Sequence, residues 1–381
     1  MTRHRIGRPR GPLLLVALLG ASLVVGVAVT TVPGGGSTAS APASFHHPRP
    51  RPTHTRTPAP TPTTPAPTTT TAAPTTTAPP VTPTAPATAP ATSPAPPQVG
   101  WIAVDPAKQA ADTAAFFART PRPLPADNPR TASEFHALCK TFHRNDDDPI
   151  VFPGLAGASH NHTFWGNSTT NADSTLTSLE NGVSTCDPTE DKSAYWIPTV
   201  LVNGQPALPK EVTVYYGTNL TDYARVQPFP KGLRMIVGDA KRQTGTENSG
   251  FFCAGGEGQT GRTADDMFPI CGAGADLVRY ILFPECWDGK HLDSPDHKAH
   301  MAFGIGGGVC PADHPVQVPT VVYTLVFGPE VAQQAAAITL ASGNTHSIHA
   351  DFFNAWDEEA LAQRVRDCID QHAKCDAQGE F

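Results

Sequence analysis

Histidines and aspartates gather in four short segments of this chain, and the chemistry they offer is metal binding and proton transfer. The segments are Ser159-His160-Asn161-His162-Thr163-Phe164-Trp165-Gly166, Leu292-Asp293-Ser294-Pro295-Asp296-His297-Lys298-Ala299-His300, Cys310-Pro311-Ala312-Asp313-His314-Pro315-Val316 and His349-Ala350-Asp351-Phe352. Six of the eleven histidines after residue 98 fall in them. On a strand, His160 and His162 leave the same face, so one element gives a metal two neutral nitrogen ligands. His297 and His300 share a face only if Ser294-Pro295 opens a helical turn with proline at its first position; if the stretch is extended they oppose each other. The candidate metal ligands are therefore His160, His162, His297, His300 and His314, for a divalent ion such as Zn, Mn or Ca. Asp293, Asp296, Asp351 and His349 are the candidate catalytic groups, because a carboxylate can ligate, orient an imidazole or carry a proton. A bound divalent ion would lower the pKa of a water or polarise an oxygen.

Trp165, Trp196 and Trp287 lie in or near these segments and Arg234 is a local cation, which makes these four the candidate substrate contacts. A tryptophan beside carboxylates suits a sugar ring, which offers an apolar face and hydroxyls. The competing reading places these rings in the core. The acidic runs Asp146 to Asp148 and Asp265-Asp266 read as solvated loops. No GxSxG elbow, HExxH helix or glycine-rich phosphate loop is present.

The elements that must position these groups lie behind an export signal and a spacer. Arg3, Arg5, Arg8 and Arg10 precede an apolar run from Leu13 to Val29 and the small-residue stretch ending at Ala41. Residues 1–41 thus read as a signal peptide, with cleavage slightly favoured over retention as an N-terminal membrane anchor. Residues 42–98 are a Pro/Thr-rich stalk with 18 prolines, 17 threonines and no acid between Pro42 and Pro97, too poor in apolar residues to fold. Residues 99–130 read as a helix and linker, and 131–375 as a single folded secreted domain. The formal charge is −7, and residues 1–98 hold seven arginines and no acid, so the folded part is strongly acidic. Such a domain repels phosphate backbones, which excludes nucleic acid as a natural partner.

Short apolar runs punctuated by Gly, Pro, Asn and Asp predict strands at Ile150–Phe152, Tyr195–Val202, Glu211–Tyr216, Gly232–Val237, Val278–Phe283, Met301–Ile305 and Val318–Phe327. Helices are expected at Ala107–Arg119, Pro329–Ala337 and Asp357–Gln371. The fold class is mainly β with peripheral helices, a β-sandwich or jelly-roll-like assembly stapled by disulfides. All eight cysteines follow residue 98, and an even count behind an export signal implies a disulfide framework. Spacing leaves 105 pairings open, of which pairing between sequence neighbours is the simplest.

The motifs Asp148-Pro149-Ile150-Val151, Tyr195-Trp196-Ile197-Pro198, Gly232-Leu233-Arg234-Met235, Phe283-Pro284-Glu285-Cys286-Trp287-Asp288-Gly289 and Leu292-Asp293-Ser294-x-Asp296-His297-x-x-His300 stand in order before His314-Pro315-Val316 and His349-Ala350-Asp351-Phe352. In this order they resemble a secreted family of actinobacteria and filamentous fungi known as a domain of unknown function, DUF1996, over roughly Phe135 to Cys368. Ala299 and Ala355 depart from a serine and a glycine usual there. The resemblance implies a secreted domain and no particular activity.

Taken together, these features predict a protein secreted or tethered to the outer face of the cell membrane, acting as a monomer, with a metal-dependent hydrolase or lyase activity on a cell-wall or environmental polysaccharide. Two readings of other classes compete: a non-catalytic glycan-binding module and a metal-scavenging surface protein. Contact with membrane is expected only through an uncleaved N-terminal segment.

Overall fold

The computed structural model describes residues 100–381 apart from 129, 131, 246–247, 257–259, 261–262 and 264–267. The signal or anchor, the stalk and Asp265-Asp266 lie outside the described residues. Among the described residues no helix is long and apolar enough to cross a membrane.

Two antiparallel sheets dominate. The larger has six strands in the order Ser249–Ala254, Asp276–Leu282, Thr320–Phe327, Glu211–Gly217, Glu134–Cys139 and Cys186–Asp187. Thr320–Phe327 alternates buried and half-exposed positions along most of its length, as a strand with one wet face should. The second sheet has five strands in the order Arg234–Gly238, His349–Phe353, Ala194–Pro198, His162–Gly166 and Thr141–Asn145. Its three central strands are buried at every position, because both faces of this sheet are covered.

Period-two geometry sorts the five-stranded sheet into two faces. Trp165, Tyr195, Ile197, Met235, Val237, Ala350 and Phe352 point inward and join the main core with Val214, Tyr216, Leu277, Tyr323 and Leu325 of the larger sheet. Ring centroids of Trp165 and Tyr323 are 5.0 Å apart across the interface, so the sheets face each other as in a sandwich. Phe164, Ala194, Trp196, Ile236 and Phe353 point outward into a smaller cluster with Ile150 and Leu179. The outward face also carries His162, His349 and Asp351, by the same alternation.

Four disulfides staple the domain in sequence-neighbour order: Cys139–Cys186, Cys253–Cys271, Cys286–Cys310 and Cys368–Cys375. In the chain-entropy account such closures stabilise a fold by about 2–4 kcal/mol each. Four formed bridges are consistent with a protein that matures outside the reducing cytosol.

Asp105 caps the helix Pro106–Phe117, which buries Phe116. Ahead of it, Ile102–Ala103 pairs with His291–Asp293. The expected C-terminal helix is Glu358–Arg364 followed by a π-helical turn, Val365–Ile369. Two predicted strands are corrected. Ile150–Phe152 is a turn, because the Asp148 carboxylate accepts the N–H groups of Ile150 and Val151 at 3.0 and 2.9 Å. Met301–Ile305 contributes only Met301–Ala302, since the glycine-rich stretch from Gly304 to Gly308 cannot hold a strand.

Candidate metal centre and the polar network beside it

Three imidazoles converge on the outward face of the five-stranded sheet. His162 stands opposite Pro198 and His349 opposite Gly238. Gly238 has φ +86°, and a Cβ there would lie 2.3 Å from the Ile348 carbonyl oxygen and 2.8 Å from the His349 Cα. Only glycine lets this edge strand approach His349 so closely. His160 precedes the strand, and its neighbours pin it: Ser159 N–H donates to the Asp146 carbonyl at 2.9 Å, Thr199 N–H donates to the Asn161 carbonyl at 2.9 Å, and the Asn161 amide donates to Asp146 at 2.8 Å.

The Nε2 atom of His349 lies 3.2 Å from Nε2 of His160 and 3.3 Å from Nε2 of His162. Tautomers decide what these contacts are. His162 Nδ1 is 2.9 Å from the Asp147 carbonyl oxygen and His349 Nδ1 is 3.0 Å from the Ser347 carbonyl oxygen. A carbonyl only accepts, so each Nδ1 carries the proton and each Nε2 presents a lone pair. The His162–His349 contact is therefore lone pair against lone pair, with no proton to bridge it. At most one of the contacts of His160 could be an N–H···N bond.

Protonation does not relieve the repulsion. Burial holds the His160 ring down at about 4. Burial first, then the neighbouring His160, brings His349 to about 3, and burial drives His162 well below its ordinary value. What fits is a cation: nitrogens bound tetrahedrally at the zinc–imidazole distance stand about 3.3 Å apart. Bonds from Nδ1 to carbonyls are the kind of outer contact that orients an imidazole for ligation. His162 is fully buried while His160 is partly exposed, so the centre opens to solvent on the His160 side.

The other predicted ligands are engaged elsewhere. His297 Nδ1 lies 2.8 Å from Asp293 Oδ1. His300 Nδ1 lies 2.9 Å from Ser294 Oγ, and its Nε2 donates to the Arg234 carbonyl at 2.7 Å. His314 Nε2 donates to the Ala299 carbonyl at 3.1 Å. The Ser294–His300 stretch is a succession of turns, not a helix, with His297 in the left-handed region at φ +58°, so His297 and His300 do not share a face as ligands.

Among the predicted catalytic groups, His349 is a member of the triad. Asp351 follows it on the same face, wholly buried, with neither carboxylate oxygen hydrogen-bonded to the described residues. Burial first, then the neighbouring Asp148, pushes its carboxyl well above the usual range. Asp148 is itself buried and raised to about 6 by desolvation, against the N–H groups of Val151 and Ile150 and the nearby His297. Asp148 therefore does not belong to a solvated loop. The Trp196 indole N–H faces it without closing a hydrogen bond of good geometry. Asp293 is buried beside His297, and Asp296 spends its Oδ1 on Ser294 Oγ and the N–H groups of Lys298 and Ala299. Asp296 thus shapes the turn through Oδ1.

The predicted stacking platform is corrected too. Trp165, Trp196 and Trp287 are at most 1 % exposed, so none shows a face to a glycan. Their apolar area is spent on the core, the bland alternative that their positions allowed. Arg234 is partly exposed, its guanidinium 4.4 Å above the Phe353 ring and 3.8 Å from Asp293 Oδ2. A cleft of about 230 Å³ between the Pro106–Phe117 and Glu358–Arg364 helices lies away from the triad, lined by Phe116, Phe229 and Trp356 among others.

Sequence reasoning missed two kinds of contributor. The Asp147 and Ser347 carbonyls that fix the tautomers are backbone groups without a signature. Asp148 had one, the Asp-Pro pair opening a turn, but its burial depends on the opposite strands.

Residues 148–356 match the family model described as Domain of unknown function (DUF1996), which is more than half of the chain. The chain belongs to that family. The matched region contains all three histidines of the centre and both histidines of the Leu292–His300 segment; the strands Glu134–Cys139 and Thr141–Asn145 precede it. No curated protein and no solved structure matches the chain significantly.

Proposed function

We propose that this protein is a secreted metalloenzyme that holds one divalent ion, zinc in first place, on the Nε2 atoms of His160, His162 and His349. One observation carries the proposal: the Nε2 atoms of His162 and His349 stand 3.3 Å apart while both ring protons are pinned to carbonyls on the far side. Three protein ligands with a remaining open position is the donor count of catalytic rather than closed structural zinc sites. Three imidazoles suit zinc, serve manganese less well, and suit calcium poorly, since calcium takes six to eight oxygens.

The reaction class that follows is cleavage by an activated water or by metal-assisted elimination, on a polysaccharide outside the cell. With the tryptophans buried, the substrate class rests on the export signal and the Pro/Thr stalk, which suit a domain released into the cell wall or held on the outer face of the membrane. The test is release of reducing ends from cell-wall and environmental polysaccharides by the zinc-loaded protein. Release that stops with chelator, returns with zinc and is absent in His349→Ala supports the enzyme. Zinc bound at one equivalent with no release from any polymer supports metal capture without turnover.

A further inference from the structure

The cleft between the helices Pro106–Phe117 and Glu358–Arg364 has polar groups set in one direction. Gln109 Nε2–H donates to Thr113 Oγ at 3.3 Å, and the Thr113 hydroxyl donates its own proton to Gln227 Oε1 at 3.0 Å. This relay fixes the Gln227 amide, because its oxygen is the atom that accepts. The Gln227 Nε2 has no hydrogen-bond partner among the described residues, although the residue is only 7 % exposed and lines the cleft. Gln109 Oε1, at the other end of the relay, has none either. A buried donor left unpaired costs about 1–3 kcal/mol, so the cleft favours an occupant that accepts from Gln227.

The chemistry of that occupant follows from the walls. A free donor and a free acceptor on either side of Thr113 answer a pair of hydroxyls, since each hydroxyl both donates and accepts. Apolar lining comes from the half-buried Pro228 and from Phe116 and Phe229. Hydroxyls carried on an apolar ring are what a sugar offers. Charge speaks against an anion: Arg119, the cation of the lining, is bound by both oxygens of Glu359, and Lys108 nearby is paired with Asp112 at 2.6 Å and Glu358 at 3.1 Å. No cation is left there for a carboxylate, sulfate or phosphate. The volume of about 230 Å³ is below the roughly 300–1,000 Å³ of drug-sized sites and suits a single ring.

We propose that this cleft binds one uncharged sugar unit of an extracellular glycan, with the Gln227 amide donating to one ring hydroxyl and the Gln109 carbonyl accepting from its neighbour. Among the described residues no imidazole lines the cleft, so binding here needs no metal. It tethers the domain to a polymer without chemistry, and it stands or falls separately from the metal reading above.

The probes are the methyl glycosides of glucose, galactose, mannose, arabinose and N-acetylglucosamine, with methyl glucuronide as the charged comparison. Saturation-transfer NMR on the purified protein in chelator should show saturable binding of at least one neutral glycoside, weaker binding of the glucuronide, and the same affinities in His349→Ala. Gln227→Glu keeps the oxygen that Thr113 reaches and removes the N–H donor, which should lower affinity on the order of 10-fold at unchanged Tm. Ala115→Leu, at an exposed helix position lining the cleft, should weaken binding by narrowing it, and decides the matter if Gln227→Glu does not fold. No binding of any neutral glycoside, or equal affinity in the parent and the folded cleft variants, would overturn the proposal. Binding that disappears in His349→Ala would also overturn it, by placing the sugar at the triad and leaving the metal reading intact.

Discussion

Two groups of histidines lie within one polar region and do different things. In the first, His160, His162 and His349 turn their Nε2 atoms toward a common point, and carbonyls hold the ring protons of His162 and His349 on the opposite side. In the second, His297, His300 and His314 each find a protein partner: a carboxylate, a hydroxyl with a carbonyl, and a carbonyl. The first group is frustrated without a cation, whereas each ring of the second has a protein partner without one. Spacing in sequence does not separate them, since both hold a close pair; the acceptors placed behind each ring do.

The largest effect expected from this contrast is on metal affinity. His162→Ala or His349→Ala should lower zinc affinity at least 1,000-fold by equilibrium dialysis, because two imidazoles cannot replace three. The loss should also remove the thermal stabilisation by zinc, which for the parent is about 2.7 kcal/mol at a hundred times Kd. Next in size is His300→Ala. It leaves the Arg234 carbonyl without its donor, so it should cost about 1–3 kcal/mol in denaturant unfolding while zinc stoichiometry stays that of the parent. A loss of zinc from His300→Ala in the folded protein would erase the distinction between the groups.

Acid sharpens the same contrast. Metal-free, His160 and His349 are held down at about 4 and 3, below the ordinary histidine value, so they bind fewer protons folded than unfolded. Their contribution to stability is present above pH 6.5 and is lost as pH falls toward 4. Bound zinc competes for the same lone pairs, and its affinity should drop steeply over that range.

A smaller effect of opposite sign comes from the core. Burial raises Asp191 to about 7, against the bonds it accepts from Tyr195 and Ser193. Its contribution is full below about pH 4 and is lost as pH rises through 7. Asp191→Asn should therefore flatten the decline in stability that this carboxyl is expected to cause between pH 5 and 8 in the metal-free protein. An unchanged slope in urea unfolding would show that Asp191 is not its source.

Much of the fold was legible. The mainly β class follows from short apolar runs between turn residues, and Glu211–Gly217, Asp276–Leu282 and Thr320–Phe327 lie close to where the pattern places them. The strands that carry the centre were harder to read. His162–Gly166 and His349–Phe353 are five residues long and covered on both faces, so they lack the polar alternation that marks a strand with one wet side. That the HxH pair lies close together was legible from its spacing. The third histidine of the cluster was not, since His349 reaches the pair only by joining the sheet one strand beyond Ala194–Pro198. The tryptophans misled for a related reason: a ring near histidines in sequence can lie on the other face of the strand, as Trp165 does, or beneath the polar groups, as Trp196 does.

The most direct test of the account is X-ray absorption at the zinc edge of the purified, zinc-loaded protein, with metal counted per chain. The account predicts one zinc per chain, three imidazole nitrogens at about 2.0 Å with one further light ligand, and loss of the imidazole signal in His162→Ala. A folded parent that retains no zinc, or zinc bound without imidazole scattering, would contradict it.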